Sequence, residues 1–177
     1  MNAILKELAG GDRRSIGKAN EVVAEVLATP ELFGDAFSGI FEADPVVRMR
    51  AADVVEKVSA QRPELLRKYK RPLLVRAALI EQNEVRWHVA QMIPRLELNK
   101  RDMAAVRAIL DTYLKTTSSN IVRVMSLQAL ADLALAGKLD REDVARDIER
   151  YAALVGTPSV KTRARRLLNL LYRRANR

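Results

Sequence analysis

One short segment keeps returning in this chain: Val47-Arg48-Met49-Arg50-Ala51, Val85-Arg86-Trp87-His88-Val89, Val122-Arg123-Val124-Met125-Ser126 and, more faintly, Val160-Lys161-Thr162-Arg163-Ala164. Its copies stand 38, 37 and 38 residues apart. A period of that length, carried by apolar residues at helical spacing, belongs to stacked helix pairs, because one pair cannot bury its own apolar face and needs neighbours to do so. The chain of 177 residues has room for about four to five such pairs, read as a single domain over residues 1–177.

Composition agrees with an all-α fold. Seven Gly and six Pro are too few for a loop-rich β protein, and the prevalence of Ala, Leu, Arg, Glu and Val favours helices. Start signals fall where the period needs them. Thr29-Pro30, Asp44-Pro45 and Thr157-Pro158 each place a capping side chain before a proline at the first helical position, where the missing N–H costs nothing. Asn83, Asn99, Asn120 and Asp140 are further N-cap candidates, and Gly137 and Gly156 stand where a left-handed residue closes a helix. The expected second helices of the pairs lie near 14–28, 45–60, 84–97, 121–136 and 158–174, with first helices over 31–42, 64–81, 100–115 and 141–155; Pro72 is expected to break its helix in two and Pro94 to kink the end of another.

The second helices align column by column. Val47, Ala51, Val54, Val55 and Val58 correspond to Val85, Val89, Met92, Ile93 and Leu96, to Val122, Ser126, Ala129, Leu130 and Leu133, and to Val160, Ala164, Leu167, Leu168 and Leu171. The segment from Asp12 to Leu27 fits the same frame with Ala19, Val22, Val23 and Val26. The first helices supply the opposite wall, from Phe33 and Phe37 through Leu66 and Leu73, Val106 and Leu110, to Val144, Ile148, Tyr151 and Leu154.

Asp44-Pro45-Val46-Val47-Arg48-Met49-Arg50-Ala51-Ala52, followed by an apolar helix, resembles the second-helix signature of HEAT repeats, including the HEAT-like repeats named after phycobilisome lyases. The resemblance covers roughly residues 12–174. It implies a right-handed α-α superhelix of helix pairs that serves as a scaffold or binding surface, and, through Asp44, Arg48, Arg86, Arg123 and Lys161, structural contacts between neighbouring repeats. The aspartate of that pattern stands only at Asp44; Gln82, Ser119 and Thr157 take its place in the other units.

Chemistry is sparse. There is no Cys, which excludes a disulfide framework, a thiol nucleophile and a thiolate zinc site, and the single His excludes a multi-histidine metal centre within one chain. No glycine-rich phosphate loop and no catalytic constellation is visible, and no cofactor is expected. No signal-peptide pattern or long apolar run occurs, so a soluble, cytoplasmic protein without a membrane span is expected.

Three features remain as binding candidates. The net charge of +9 is concentrated in two clusters: Arg62, Arg67, Lys68, Lys70, Arg71 and Arg76, against Glu64 alone, and Lys161, Arg163, Arg165, Arg166, Arg173, Arg174 and Arg177, with no acid among them. Such clusters attract phosphate backbones, acidic protein segments or anionic lipid. Arg48, Arg86, Arg123 and Lys161 form a basic column with two readings: hydrogen bonds that join neighbouring units, or a stripe along a groove that binds phosphate. Met49, Trp87, Val124 and Thr162, with His88 beside the only Trp, fall on the side opposite the apolar face in successive units. An aromatic anchor in an apolar stripe suits a peptide or partner helix, while the same pattern also arises where a stacked helix buries a second face.

The expected function is a non-enzymatic scaffold whose concave face binds a protein or peptide. The alternative is nucleic-acid binding through the basic clusters, with a possible relation to alkylpurine DNA glycosylases, some of which resemble stacks of HEAT-like repeats.

Overall fold

The computed structural model describes residues 2–11 and 15–173. They are helical, with no strand among them. The α-helices are α1 (Ala3–Leu8), α2 (Ala19–Ala28), α3 (Phe33–Ser38), α4 (Pro45–Gln61), α5 (Lys70–Val75), α6 (Asn83–Met92), α7 (Lys100–Thr116), α8 (Asn120–Leu135), α9 (Arg141–Val155) and α10 (Pro158–Arg173). The chain forms two compact units, Met1–Glu97 and Leu98–Arg177.

In the first unit α4 is the central element, packed against α1, α2, α3 and α6. A helix enclosed on several sides must be apolar or small on several sides, and α4 buries Val47, Ala51, Ala52, Val54, Val55 and Val58 completely. Gly39 lies where its missing side chain is needed: a Cβ there would come within 2.5 Å of Leu5 Cδ2 and 2.7 Å of Ala51 Cβ. In the second unit α8 takes the same central part, packed against α7, α9 and α10, with Val122, Leu127, Leu130, Ala131, Leu133 and Ala134 fully buried. Fully burying one of these Val or Leu side chains contributes about 1.5–3 kcal/mol before the cost of ordering it.

The helix ends follow local chemistry. Asp44 Oδ1 accepts a 2.8 Å hydrogen bond from the Val46 N–H ahead of α4. Asn99 and Asp102 form a reciprocal capping box at α7, and Asp140 Oδ1 accepts from the Asp143 N–H at α9. After α8 the Lys138 N–H bonds to the Leu133 carbonyl at 2.9 Å around Gly137 at φ 71°, and Gly156 closes α9 at φ 70°.

Several expectations are corrected. Asn83 and Asn120 are the first residues of their helices and not the caps, which are Gln82 and Ser119. The helix expected from residue 14 begins at Ala19; Asp12 and residue 14 itself lie outside the described residues. The first helices of the early pairs are fragmented: 3₁₀ turns over Pro30–Leu32 and Gly39–Phe41 flank α3, and Pro63–Tyr69 and Ala77–Leu79 flank α5. Pro72 lies inside α5, in its first turn, where proline is tolerated, so the break falls before it at Tyr69. The α6 helix ends at Met92 and tightens into a 3₁₀ turn through Pro94. Leu154, expected in the core, is 74% exposed near the end of α9.

Candidate binding cavities on the recurring column

The arginine column has a local task. Each arginine is the fourth residue after its N-cap, one helical turn in, and folds back over the loop that precedes its own helix. Arg48 Nη1 donates to the carbonyls of Glu42 (2.9 Å) and Ala43 (3.1 Å). Arg86 Nε donates to Ile80 O at 3.2 Å, and Arg123 Nη2 to Thr117 O at 2.6 Å. In all three the acceptor lies six residues back, two before the cap, so one guanidinium ties down loop carbonyls that α-helical bonding cannot reach. Lys161 is exposed and makes no such bond among the described residues; its single ammonium lacks the planar fork that lets Arg bridge neighbouring carbonyls.

Contacts between successive pairs come partly from elsewhere. Arg48 Nε also donates to Gln82 Oε1 at 3.0 Å, and Gln82 Nε2 donates to Pro45 O at 2.9 Å, so the cap position of one helix grips the start of the previous second helix. In the second unit Thr157, at the same position, bonds Asn120 Oδ1 at 3.4 Å. Asp44, expected to join repeats, caps its own helix.

The apolar column of Met49, Trp87, Val124 and Thr162 lines a surface cavity in each unit. In the first, Met49 and Trp87, both half-buried, share a cavity of about 370 Å³ with Ser15, Ile16, Arg50, Asp53, Glu84 and His88. The walls of this cavity follow from helix geometry: Asp53 stands four residues after Met49 on α4, and Glu84 three before Trp87 on α6, so each acid shares a face with its apolar neighbour. Arg50 is buried and turns inward, donating to the carbonyls of Leu8 (2.8 Å), Gly10 (2.6 Å) and Ser15 (3.1 Å). Gly17, at φ 54°, lies so close that a Cβ would come within 2.8 Å of Arg50 Cζ. Asp53 Oδ2 bonds Lys57 at 2.7 Å, while its Oδ1 lies 3.8 Å from His88 Nε2, beyond hydrogen-bond range. Burial holds the His88 imidazole below its ordinary value of 6.5, against the opposing pull of the Asp53 and Glu56 carboxylates, so the ring is neutral at physiological pH. His88 Nδ1 has no hydrogen-bond partner.

In the second unit Val124 and Thr162 line a cavity of about 360 Å³ with Pro158, Ser159, Arg163 and Arg166. Arg163 is steadied by a 2.6 Å bond from Nη1 to Gln128 Oε1. Both linings carry arginine and hydroxyl groups; the first adds two carboxylates and an indole, and the second has no acid.

The two basic clusters differ in what they leave open. In the first, Arg62 pairs with Glu64, Arg67 with Glu97 at 2.8 Å, Lys70 Nζ donates to Glu97 O at 3.0 Å, and the Arg76 guanidinium lies 4.3 Å from the Phe41 ring centre. Lys68 and Arg71 are exposed. On α10, Lys161, Arg165, Arg166 and Arg173 are exposed; Arg174 and Arg177 lie outside the described residues. Among the described residues no group of three or more His, Cys, Asp or Glu is placed to hold a metal ion, and no helix is long and apolar enough to cross a membrane.

Compared with protein-family models, with curated proteins and with solved structures, the chain matches none. The sequence pattern gave no site role to Ser15, Arg50, Asp53 and Glu84 in the first cavity or to Ser159 in the second, and it placed Ile16 only at the basic position of the divergent first unit. For the two acids the signal was present, since both lie one turn from a column residue on the same helix.

Proposed function

We propose that this protein is a HEAT-like helical scaffold without catalytic activity of its own, whose helix pairs follow the right-handed α-α superhelical pattern, and that it binds a protein or peptide through the Met49, Trp87, Val124 and Thr162 column. The observation that carries the reading is that the column lines a cavity in each unit instead of packing into the core. Met49 and Trp87 remain half-buried, although the neighbouring positions Val47, Val85 and Val89 are fully enclosed. A large indole kept partly in water beside a cavity of ligand-binding size has a use at an interface and none in the core. A binding partner retained by the wild-type protein and released by both Trp87→Ala and Met49→Lys, with helical circular dichroism unchanged, supports this reading. Retention by both variants removes it.

A second reading, nucleic-acid binding, is favoured by the exposed cations of α10. It predicts a gel shift with unrelated DNA or RNA whose affinity falls steeply with salt. No shift at low salt removes it.

A further inference from the structure

The net charge of +9 sits almost wholly in the second unit, where residues 98–177 hold 16 Lys and Arg against 8 Asp and Glu. Within it α10 carries Lys161, Arg163, Arg165, Arg166 and Arg173 and no acid. The acids of α9, which packs against α10, are already engaged: Glu142 and Asp143 with Arg146, Asp147 with Arg107 and Arg150, and Glu149 with the Tyr172 hydroxyl at 3.4 Å. On α8 the one acid is Asp132, whose Oδ1 accepts from Gln128 Nε2 at 2.8 Å. The Gln128 Oε1 that holds Arg163 is a neutral amide oxygen. Among the described residues no carboxylate pairs with Arg163 or Arg166. Both line the second-unit cavity, whose lining has no acid. Standing three residues apart, the two guanidinium groups are neighbours on the helix surface and repel one another.

We infer that the cavity formed by Val124, Thr162, Arg163 and Arg166 receives an acidic side chain, aspartate or glutamate, of the bound peptide. The inference rests on the peptide-binding reading above. A carboxylate accepts two parallel bonds from a guanidinium and relieves the repulsion between the two arginines. The exposed Ser159 and Thr162 hydroxyls supply further donors, and the first turn of α10, on the same lining, favours negative charge. Val124 and Pro158 give the recess an apolar wall for the side-chain stem. Its volume, about 360 Å³, is at the small end for ligand sites and suits one side chain better than a whole small molecule. Arg173 stands about 10.5 Å along the helix from Arg166, past the screening length of about 8 Å, so it steers approach more than it holds the bound group. Nucleic acid fits this recess less well. Backbone phosphates offer nothing to Val124 and Pro158, and single strands need rings on which bases stack. The exposed ring of α10, Tyr172, lies against the Glu149 carboxylate, which repels phosphate.

The test follows the fluorescence anisotropy of dye-labelled hexaglutamate as the protein is added at about 150 mM salt, with hexalysine, a neutral Gly-Ser hexapeptide and hexathymidylate labelled in the same way. Hexaglutamate is expected to bind saturably, with the basic and neutral peptides silent. Arg166 is exposed, so its replacement leaves the fold intact, as helical circular dichroism would verify. Arg166→Gln is expected to weaken hexaglutamate by about tenfold and Arg166→Glu to abolish its binding, whereas Arg101→Gln, the same loss of charge at an exposed site on α7, stays within about twofold of wild type. Equal weakening by Arg101→Gln and Arg166→Gln assigns the binding to overall charge and overturns the inference. Tighter binding of hexathymidylate than of hexaglutamate also overturns it and favours the nucleic-acid reading. If hexaglutamate is silent while a partner is still released by Trp87→Ala and Met49→Lys, peptide binding at the column stands and the acidic assignment falls. If that partner is retained by both variants as well, both fall.

Discussion

The two units carry the same column and put it to different chemical ends. Around Met49 and Trp87 the cavity gathers Asp53 and Glu84 with Arg50 and a neutral imidazole, acids and cation together; around Val124 and Thr162 it gathers Arg163, Arg166 and the Ser159 hydroxyl, with no acid. The apolar columns beneath them are nearly interchangeable, with Val47, Ala51 and Val54 in one unit answering Val122, Ser126 and Ala129 in the other, all buried. Repetition therefore constrains the face that holds the helices together and leaves the opposite face to diverge. Charge at one turn's distance from the column is where the units differ most.

The common part of the comparison breaks most severely by cavity creation. Ile93 and Leu130 occupy the same column position and are both fully buried, so Ile93→Ala and Leu130→Ala are each expected to cost about 2–5 kcal/mol in denaturant unfolding. A loss below about 1 kcal/mol in one alone would show that the two cores are not equivalent. The arginine clasp comes next. Arg48→Ala and Arg123→Ala leave loop carbonyls without donors and are expected to cost about 1–3 kcal/mol, while Lys161→Ala, which breaks no such bond among the described residues, stays within about 0.5 kcal/mol. Equal losses at Arg123 and Lys161, measured by thermal melting, would remove the clasp as the reason for the arginine's recurrence.

How much of this was legible in the sequence depends on which face of each helix is considered. The apolar columns were readable because burial demands the same residue class at the same helical phase, and positions such as Val54, Met92, Leu130 and Leu167 are buried as the period required. The first helices of the early pairs were not readable as single helices, because Pro30 and Pro63 open short 3₁₀ turns whose boundaries periodicity does not register. The caps fall one residue before the expected ones for two reasons: Asn120 and Ser119 are comparable capping types that position alone separates, whereas Gln82 is a poor one that makes no side-chain cap bond and is held instead by its bond to Pro45 O. The arginines were expected to reach neighbouring units, and of these bonds the one from Arg48 to Gln82 does so; the bonds common to Arg48, Arg86 and Arg123 run to the preceding loop. Asp53 and Glu84 escaped notice because the column was read one residue per helix, without its neighbours at three and four positions.

A smaller effect sharpens the first cavity. Because burial lowers the His88 value from 6.5, the unfolded chain binds more protons than the folded one between the two values, so stability fully present above pH 6.5 is lost as pH falls through the folded-state value. His88→Gln is therefore expected to lose less melting temperature than the wild type between about pH 7.5 and about pH 5. Parallel losses in both proteins would assign the acid sensitivity to carboxylates elsewhere.

The most direct test of the column as a binding surface is a residue-resolved map of partner contact. Backbone amide resonances are followed by NMR as a peptide of a partner retained by the wild-type protein is added at about 150 mM salt. The account predicts saturable shifts at Met49, Trp87, Val124 and Thr162, with the exposed Lys68 and Arg71 unmoved. Shifts confined to residues off the column would contradict it.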